Sequence, residues 1–254
     1  MEIALGFLIA LMIGLTGVGG GTLTVPVLIL FLGVPTAAAV GTALVFSALV
    51  KIPACLVYLR ERRVDFQVLR FMLRGGLPGV VAGSLLLDRL EGAGLRNVVL
   101  TVVGLTIAAT AVFNLTRLIP RSTPADVGRA DRARHLPWFT LPIGLEVGFS
   151  SAGAGALGTL ALLHFTTLLP AEVIGTDLVF GLSLSAVGGG LHLGLGAWNR
   201  ELLLSLVTGG IPGALLGARL ATVIPPRPLR VVLLVWLVYL GGELLLRGAR
   251  ALFG

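Results

Sequence analysis

Long apolar segments separated by short polar loops run along most of the chain. Eight segments can be marked, at about 3–31, 36–58, 66–87, 97–116, 138–168, 172–195, 201–222 and 229–246. A helix needs about 20 apolar residues to cross the hydrocarbon core of a bilayer, which is about 30 Å thick. The pattern therefore predicts an all-α, polytopic membrane protein with about eight transmembrane segments.

The composition supports this class of protein. Of the 254 residues, 56% are hydrophobic and 12% are charged, whereas a soluble domain carries roughly a quarter charged residues. The net charge of +7 comes mainly from arginines between apolar segments, where the positive-inside rule and anionic lipid explain them better than nucleic acid does. The single cysteine, Cys55, excludes an internal disulfide and a cysteine-only metal cluster.

The two halves of the chain are similar to each other at a constant offset of 134 residues. Glycine, threonine, proline and arginine positions keep this register without a gap. The matching pairs are Gly41-Thr42 with Gly175-Thr176, Gly75 to Gly79 with Gly209 to Gly213, Gly83 with Gly217, and Leu95-Arg96 with Leu229-Arg230. We therefore expect a first transmembrane repeat at 1–116, a cytoplasmic arginine-rich linker at 117–136 and a second transmembrane repeat at 137–254. Internal repeats of this kind are typical of secondary transporters.

The first segment of each half contains a glycine cluster near its middle. The two stretches are GLTGVGGGTLTVP from Gly14 to Pro26 and GLEVGFSSAGAGAL from Gly144 to Leu157. Consecutive glycines weaken a helix, and broken helices expose N–H groups that attract anions. The alternative is close helix packing through small residues. We predict that both segments are broken and that the breaks contribute to a binding site. The candidate residues are Gly17, Gly19, Gly20, Gly21, Thr22, Ser150 and Ser151.

The break leaves two topologies open. With eight crossings, eleven arginines lie on the side of the N-terminus and five on the other side, so both termini are cytoplasmic. If the two broken segments are instead re-entrant hairpins, each half crosses three times and the repeats are inverted, with the same division of arginines. Both arrangements place the arginine-rich linker in the cytoplasm. Eight crossings are the expectation.

The pattern GLTGVGGGTLTVPVLILFLGVPTAAAVGTALVFS, followed by a basic loop and GGLPGVVAGSLL, resembles the TauE/SafE family of sulfite and organosulfonate exporters. The second half carries weaker copies, GTDLVFGLSLSAVGGG and GGIPGALLGARL, so the resemblance covers nearly the whole chain. It implies a plasma-membrane transporter of small anions such as sulfite, thiosulfate or sulfonates. The second copy lacks the triple glycine, and Leu160 stands opposite Pro26, so the two half-sites are not expected to be identical.

Polar residues inside the apolar segments each need an explanation, since a charge at a helix centre costs roughly 2.5–3.5 kcal/mol. Lys51 and Arg74 could bind an anionic substrate, with snorkelling and headgroup pairing as their alternatives. Thr42 and Thr176 offer hydroxyls to the same site, unless they bond to helix carbonyls. Asp177 is the candidate residue for coupling to a proton or sodium, with Glu146 as the other candidate. The alternative role for Asp177 is a salt bridge to Lys51 or Arg74.

We therefore expect a secondary transporter, and not an enzyme, whose site lies near the midplane between the repeats. Export of a sulfur-containing anion, driven by a coupling ion, is the favoured function. The alternatives are an anion channel and a transporter of another small anion, such as a carboxylate. No catalytic or nucleotide-binding motif is present, so no cofactor, metal or nucleic-acid partner is expected. The oligomeric state is not fixed by the sequence, and a homodimer is one of the states it allows.

Overall fold

The computed structural model describes residues 1–16, 20–117, 132–220 and 226–253, and all regular secondary structure in these ranges is helical. A single 3-10 turn, Ala133–His135, precedes the second half. The helices are α1 (Glu2–Thr16), α2 (Gly20–Leu32), α3 (Thr36–Arg60), α4 (Phe66–Gly92), α5 (Arg96–Arg117), α6 (Leu136–Ser150), α7 (Ala154–Phe165), α8 (Pro170–Gly194), α9 (Arg200–Leu220) and α10 (Pro226–Phe253).

Helix length separates two kinds of element. Five helices in the described ranges are long and apolar enough to cross a membrane, namely α3, α4, α5, α8 and most of α10. The helices α1, α2, α6 and α7 have only 12 to 15 residues. At about 1.5 Å per residue they are about 18–23 Å long, shorter than the hydrocarbon core. The chain is thus a multi-pass membrane protein in which each half begins with two short helices.

Glycine stripes hold the first helix of each half against a helix of the other half. Glycines of α4 face backbone carbonyls of α6, and glycines of α9 face backbone carbonyls of α1. The contacts are Gly75 with Pro137, Gly79 with Leu141, Gly83 with Leu145, Gly209 with Ile3, Gly213 with Phe7 and Gly217 with Leu11. Each contact therefore has an equivalent in which the glycine lies 134 residues later and its partner 134 residues earlier. The missing side chains allow the two backbones to approach closely, as is common between membrane helices.

The core lies around a central pair of helices, α3 and α8. Their side chains Phe46 and Phe180 are fully buried, and each ring fills the space above a glycine of the other half. Phe180 lies over Gly76, and Phe46 lies over Gly210. These aromatic contacts attach α4 to α8 and α9 to α3.

The helix directions follow from these contacts. Gly41, near the start of α3, lies against Ala197, which follows α8, so these two helices are antiparallel. The helices α5 and α10 are also antiparallel, since Asn97 at the start of α5 donates a hydrogen bond to Ala251 at the end of α10. By contrast, α1 runs parallel to α9, and α4 runs parallel to both α6 and α8.

These directions correct the expected topology. The contact of Phe46 with Gly210 is the repeat equivalent of the contact of Phe180 with Gly76. Because α4 runs parallel to α8, α9 therefore runs parallel to α3. Since α1 runs parallel to α9, α1 and α3 point the same way. Eight alternating crossings would require α1 and α3 to point in opposite directions. The structure instead agrees with the alternative in which each glycine-broken segment is a hairpin, α1–α2 or α6–α7. Hydropathy did not distinguish the two topologies because a hairpin and a crossing helix are equally apolar.

The glycine stripes lead to a stability prediction. A methyl group added at Gly79 or Gly213 would overlap the carbonyl oxygen of Leu141 or Phe7. We expect Gly79→Ala and Gly213→Ala each to destabilise the protein by about 1–3 kcal/mol, as overpacking does. The measurement is the melting temperature in detergent micelles.

The matched control is Gly242→Ala in α10, where an added methyl group would enter open space. This variant should be neutral or more stable by up to about 1 kcal/mol, because alanine favours helix. Equal melting temperatures for Gly79→Ala and Gly242→Ala would contradict the role of the stripe.

Candidate functional site

The ends of the two hairpins meet in the centre of the protein. Gly21, in the first turn of α2, lies directly against the carbonyl and hydroxyl oxygens of Ser151, which follows α6. Its neighbour Gly20 lies against the hydroxyl of Ser47 on α3. The structure thus brings together residues from both predicted breaks. Gly17 and Gly19, predicted for the same site, lie outside the described residues.

The break in the second half has a defined backbone geometry. Ser151 and Gly153 both adopt left-handed backbone conformations, with φ of 59° and 88°. Such a conformation is unusual for serine and costs about 1–3 kcal/mol, a form of strain that clusters at functional sites. The Ser150 hydroxyl supports the break, since it donates to the Glu146 carbonyl at 2.9 Å and accepts from the Ala152 N–H at 3.3 Å. Ser150 therefore shapes the interruption.

The second short helix of each half begins inside the protein. The helix α2 begins at Gly20 and α7 begins at Ala154, a few residues after Ser151. The first N–H groups of a helix have no partner within it, and this end carries a partial positive charge. Such an end favours an anion, although at the start of α7 the Glu146 carboxylate already lies against Gly153.

Two buried hydroxyl groups lie at this point without a hydrogen-bond partner. Ser47 is 2% exposed and Ser151 is 6% exposed, and neither Oγ atom has a partner among the described residues. A buried polar group without a partner costs about 1–3 kcal/mol. A ligand that accepts hydrogen bonds from both serines would remove this cost.

Lys51 lies one turn beyond Ser47 on α3, so the two side chains share a face of the helix. Its ammonium group donates to the Ser185 hydroxyl on α8 at 3.4 Å. Lys51 and Ser185 are equivalent positions of the two halves, being 134 residues apart, so they meet where α3 crosses α8. Among the described residues Lys51 makes no ion pair within 4 Å, but Asp177 is close enough to interact with it electrostatically.

Asp177 lies on α8 at some distance from the serines. It precedes Ser185 by eight residues, which is about 12 Å along a helix. Its Oδ2 atom accepts a hydrogen bond from the Thr159 hydroxyl of α7 at 2.7 Å, whereas the buried Oδ1 atom has no partner in the described part of the chain. Asp177 therefore attaches α7, the second helix of the α6–α7 hairpin, to α8 of the central helix pair.

Glu146 lies on α6, the first helix of the same hairpin. Its carboxylate accepts a hydrogen bond from the Thr110 hydroxyl of α5 and contacts Gly153, where α7 begins. A negative charge near a helix N-terminus is favourable. Both candidate coupling acids thus contact the second hairpin, and neither contacts the first through any interaction described.

Other predicted site residues do not join the serine cluster. Thr42 and Thr176 accept hydrogen bonds from the N–H groups of Asn199 and Asp65, at 3.3 and 3.0 Å. Asp65 and Asn199 in turn accept from the first turns of α4 and α9, so these threonines hold the helix N-caps in place.

Arg74 and Thr22 have different positions. Arg74 is exposed on the outward face of α4, and its guanidinium lies 5.2 Å from the ring centre of Phe71. Thr22 is buried in α2, close in sequence to Gly20 and Gly21. Arg74, a predicted binding residue, therefore lies on a different face of the protein from the buried serine cluster.

Sequence reasoning missed Thr159, the partner of Asp177. A usable signal was present, because in the 134-residue register Thr159 stands opposite Val25 and Asp177 stands opposite Ala43. Two polar residues replace two apolar ones in the same half. Paired departures from an internal repeat would have pointed to this contact.

Paired broken helices that meet inside a multi-pass helical protein are typical of membrane transporters. Comparison with known proteins is more specific. Residues 2–244 match the family model described as Sulfite exporter TauE/SafE, and the chain belongs to this family of membrane transporters.

Curated relatives are similar over nearly their full lengths. The chain is 27% identical over 238 residues to "Probable membrane transporter protein YjnA" of Bacillus subtilis (strain 168), covering 91% of this chain and 93% of the relative. It is 23% identical to "Probable membrane transporter protein YunE" of the same organism, covering 97% of both. No solved structure matches the chain. The family and the five apolar helices together identify a multi-pass protein of the cell membrane.

The serine cluster leads to a binding prediction. We expect Ser47→Ala and Ser151→Ala each to weaken binding of an anionic substrate about tenfold or more, since a hydrogen bond to a charged group contributes about 1.5–3 kcal/mol. The matched control is Ser183→Ala, because the Ser183 hydroxyl donates to the Val179 carbonyl of its own helix. Isothermal titration measures the affinity, and unchanged affinity in both serine variants would exclude the cluster as the site.

Proposed function

We propose that this protein is a secondary transporter that exports small sulfur-containing anions, such as sulfite, thiosulfate or organosulfonates. The observation that carries this proposal is the meeting of Gly20 and Gly21 with Ser47 and Ser151, where two helix N-termini and two unpartnered hydroxyls converge. The substrate would bind there, near the midplane and between the two halves.

The chemistry of this point suits a small oxyanion. Sulfite and sulfonate groups accept hydrogen bonds on every oxygen, and the site offers serine hydroxyls together with helix N-termini. Lys51 adds a positive charge one turn from Ser47. The carboxylate of Asp177 is about two turns of α8 away from Ser185, whereas that of Glu146 lies against Gly153, so Glu146 is the acid nearer to a bound anion.

The proposed architecture consists of two inverted repeats. Each contributes one hairpin and three crossings, which are α3, α4 and α5 in the first half and α8, α9 and α10 in the second. With the arginine-rich linker in the cytoplasm, α1–α2 enters from outside and α6–α7 enters from the cytoplasm. The hairpins then meet halfway, as inverted repeats of transporters do.

Asp177 is the proposed coupling residue. Its carboxyl group holds α7 through Thr159 and is 6% exposed. A charge buried without a close partner is unfavourable, so gain or loss of a proton at Asp177 would change how firmly the cytoplasmic hairpin attaches to α8. Glu146 is the second candidate, because it contacts the same hairpin.

The proposed substrate class is tested with the purified protein. We expect sulfite, thiosulfate or sulfoacetate to raise the melting temperature, whereas sulfate and small carboxylates do so less. A ligand at 100 times its Kd stabilises a protein by about 2.7 kcal/mol, which is readily measured. In vesicles the flux of the same anion should saturate, and Lys51→Gln should raise the half-saturating concentration.

Other outcomes would replace the proposal. Stabilisation by carboxylates alone would indicate a different substrate class. Unitary conductance without saturation would indicate an anion channel. Unchanged affinity in Lys51→Gln would remove Lys51 from the site while leaving the serine cluster to be judged by its own variants.

The coupling residue is tested separately. Asp177→Asn keeps an oxygen that can accept the Thr159 hydrogen bond but cannot change its charge. We expect wild-type flux in vesicles to vary with pH between about 5 and 8 and the Asp177→Asn flux to be nearly constant. Glu146→Gln is the matched comparison. If only Glu146→Gln loses the pH dependence, the coupling role belongs to Glu146.

A further inference from the structure

Two arginines lie on the outward face of α4, away from the serine cluster. Arg70 and Arg74 are one turn apart, and both side chains are exposed. They line an open groove together with Phe66, Leu69 and Leu73. Neither arginine makes an ion pair with the residues that the structure describes, and Arg74 instead lies over the Phe71 ring.

An unpaired cation on a membrane-spanning helix requires a partner. The helix α4 is one of the five helices long and apolar enough to cross the membrane, and a charge in the hydrocarbon region is costly. Within the described residues the two guanidinium groups are surrounded by apolar and aromatic groups and by Gln67, with no acid among them. A group from the surroundings can therefore act as the partner.

Arg70 and Arg74 lie in the second and third turns of α4, from which long arginine side chains can reach the headgroup region. The next residue, Gly75, packs against Pro137 at the start of α6. Trp138 follows Pro137 and is 78% exposed, and exposed tryptophans collect at the membrane–water interface. The 27 residues of α4 span about 40 Å, so its first turns extend beyond a core of about 30 Å.

The pair is absent from the equivalent helix. In the 134-residue register, Arg70 and Arg74 correspond to Leu204 and Thr208 of α9. In the proposed inverted arrangement, on which the assignment of the leaflet rests, these positions lie in the opposite leaflet. The cations are thus present only where anionic lipids are concentrated, at the cytoplasmic surface.

The groove is positively charged, lies near the start of α4 and has no equivalent on α9. We therefore propose that Arg70 and Arg74 bind the phosphate headgroup of an anionic phospholipid. Guanidinium groups bind phosphate oxygens bidentately, and the groove residues Leu73 and Leu77, which lie towards the membrane centre, would contact the acyl chains. The site is distinct from the serine cluster proposed for the transported anion.

The experiment compares lipid binding in three forms of the full chain. These are the wild type, R70Q/R74Q, and the matched control R89Q/R96Q, which removes two exposed arginines from the opposite end of α4 and the start of α5. Dioleoyl phosphatidylglycerol and dioleoyl phosphatidylcholine are titrated into detergent micelles, and bound lipid is counted by native mass spectrometry. Inorganic phosphate is added as a competitor.

We expect the wild type and R89Q/R96Q to prefer phosphatidylglycerol and R70Q/R74Q to bind it roughly 30-fold more weakly. This factor corresponds to about 1 kcal/mol for each arginine. Inorganic phosphate should compete poorly, because it lacks the acyl chains.

Three results would overturn the proposal: equal binding of both lipids by the wild type, equal loss in R89Q/R96Q, or full displacement by inorganic phosphate. The first and third need no variant, so they apply even if R70Q/R74Q does not fold. Because the assay measures lipid and not transport, its failure leaves the proposed function standing.

Discussion

The structure depends on one constraint, which is that backbone polar groups inside a bilayer need partners from protein or water. A helix interrupted at Ser151 would expose such groups to lipid. Here the interruption lies against Gly21 at the start of α2, so each hairpin covers the other. A side chain at Gly21 would separate them, which explains why glycine occupies that position.

The glycine stripes make this mutual cover possible. The first helix of each hairpin packs on a helix of the opposite half, α1 on α9 and α6 on α4. Neither half can therefore complete its own hairpin contacts alone. The centre, where substrate is proposed to bind, is likewise built from both halves, with Ser47 from the first and Ser151 from the second.

Much of this organisation could be predicted from the sequence, and the rest could not for physical reasons. The break near Ser150 and Ser151 was predicted because glycine clusters weaken helices. The number of crossings was not, because hydropathy measures apolar length and is blind to direction. Thr42 and Thr176 recur because each holds a helix N-cap, a structural requirement that produces the same repeat signal as a binding site.

The position of Arg74 shows a second limit of sequence reasoning. Arg74 and Lys51 both interrupt apolar segments, yet one faces outward and the other meets Ser185 at the crossing of α3 and α8. The direction of a side chain depends on which helix face is covered, and that depends on partners distant in sequence. Gly75 and Gly76 beside Arg74 mark the covered face of α4, so in retrospect they place Arg74 on or near the open one.

The scaffold is symmetric, but its charged groups are not. Asp177 with Thr159, and Glu146 with Thr110, all contact or support the second hairpin, while the matching positions Ala43, Val25 and Met12 of the first half carry no charge. An ion that binds at Asp177 or Glu146, the proposed coupling residues, would therefore act on the second hairpin and change its free energy relative to that of the first. The departures from the repeat are therefore the positions where the two otherwise similar hairpins can differ in their response to a bound ion.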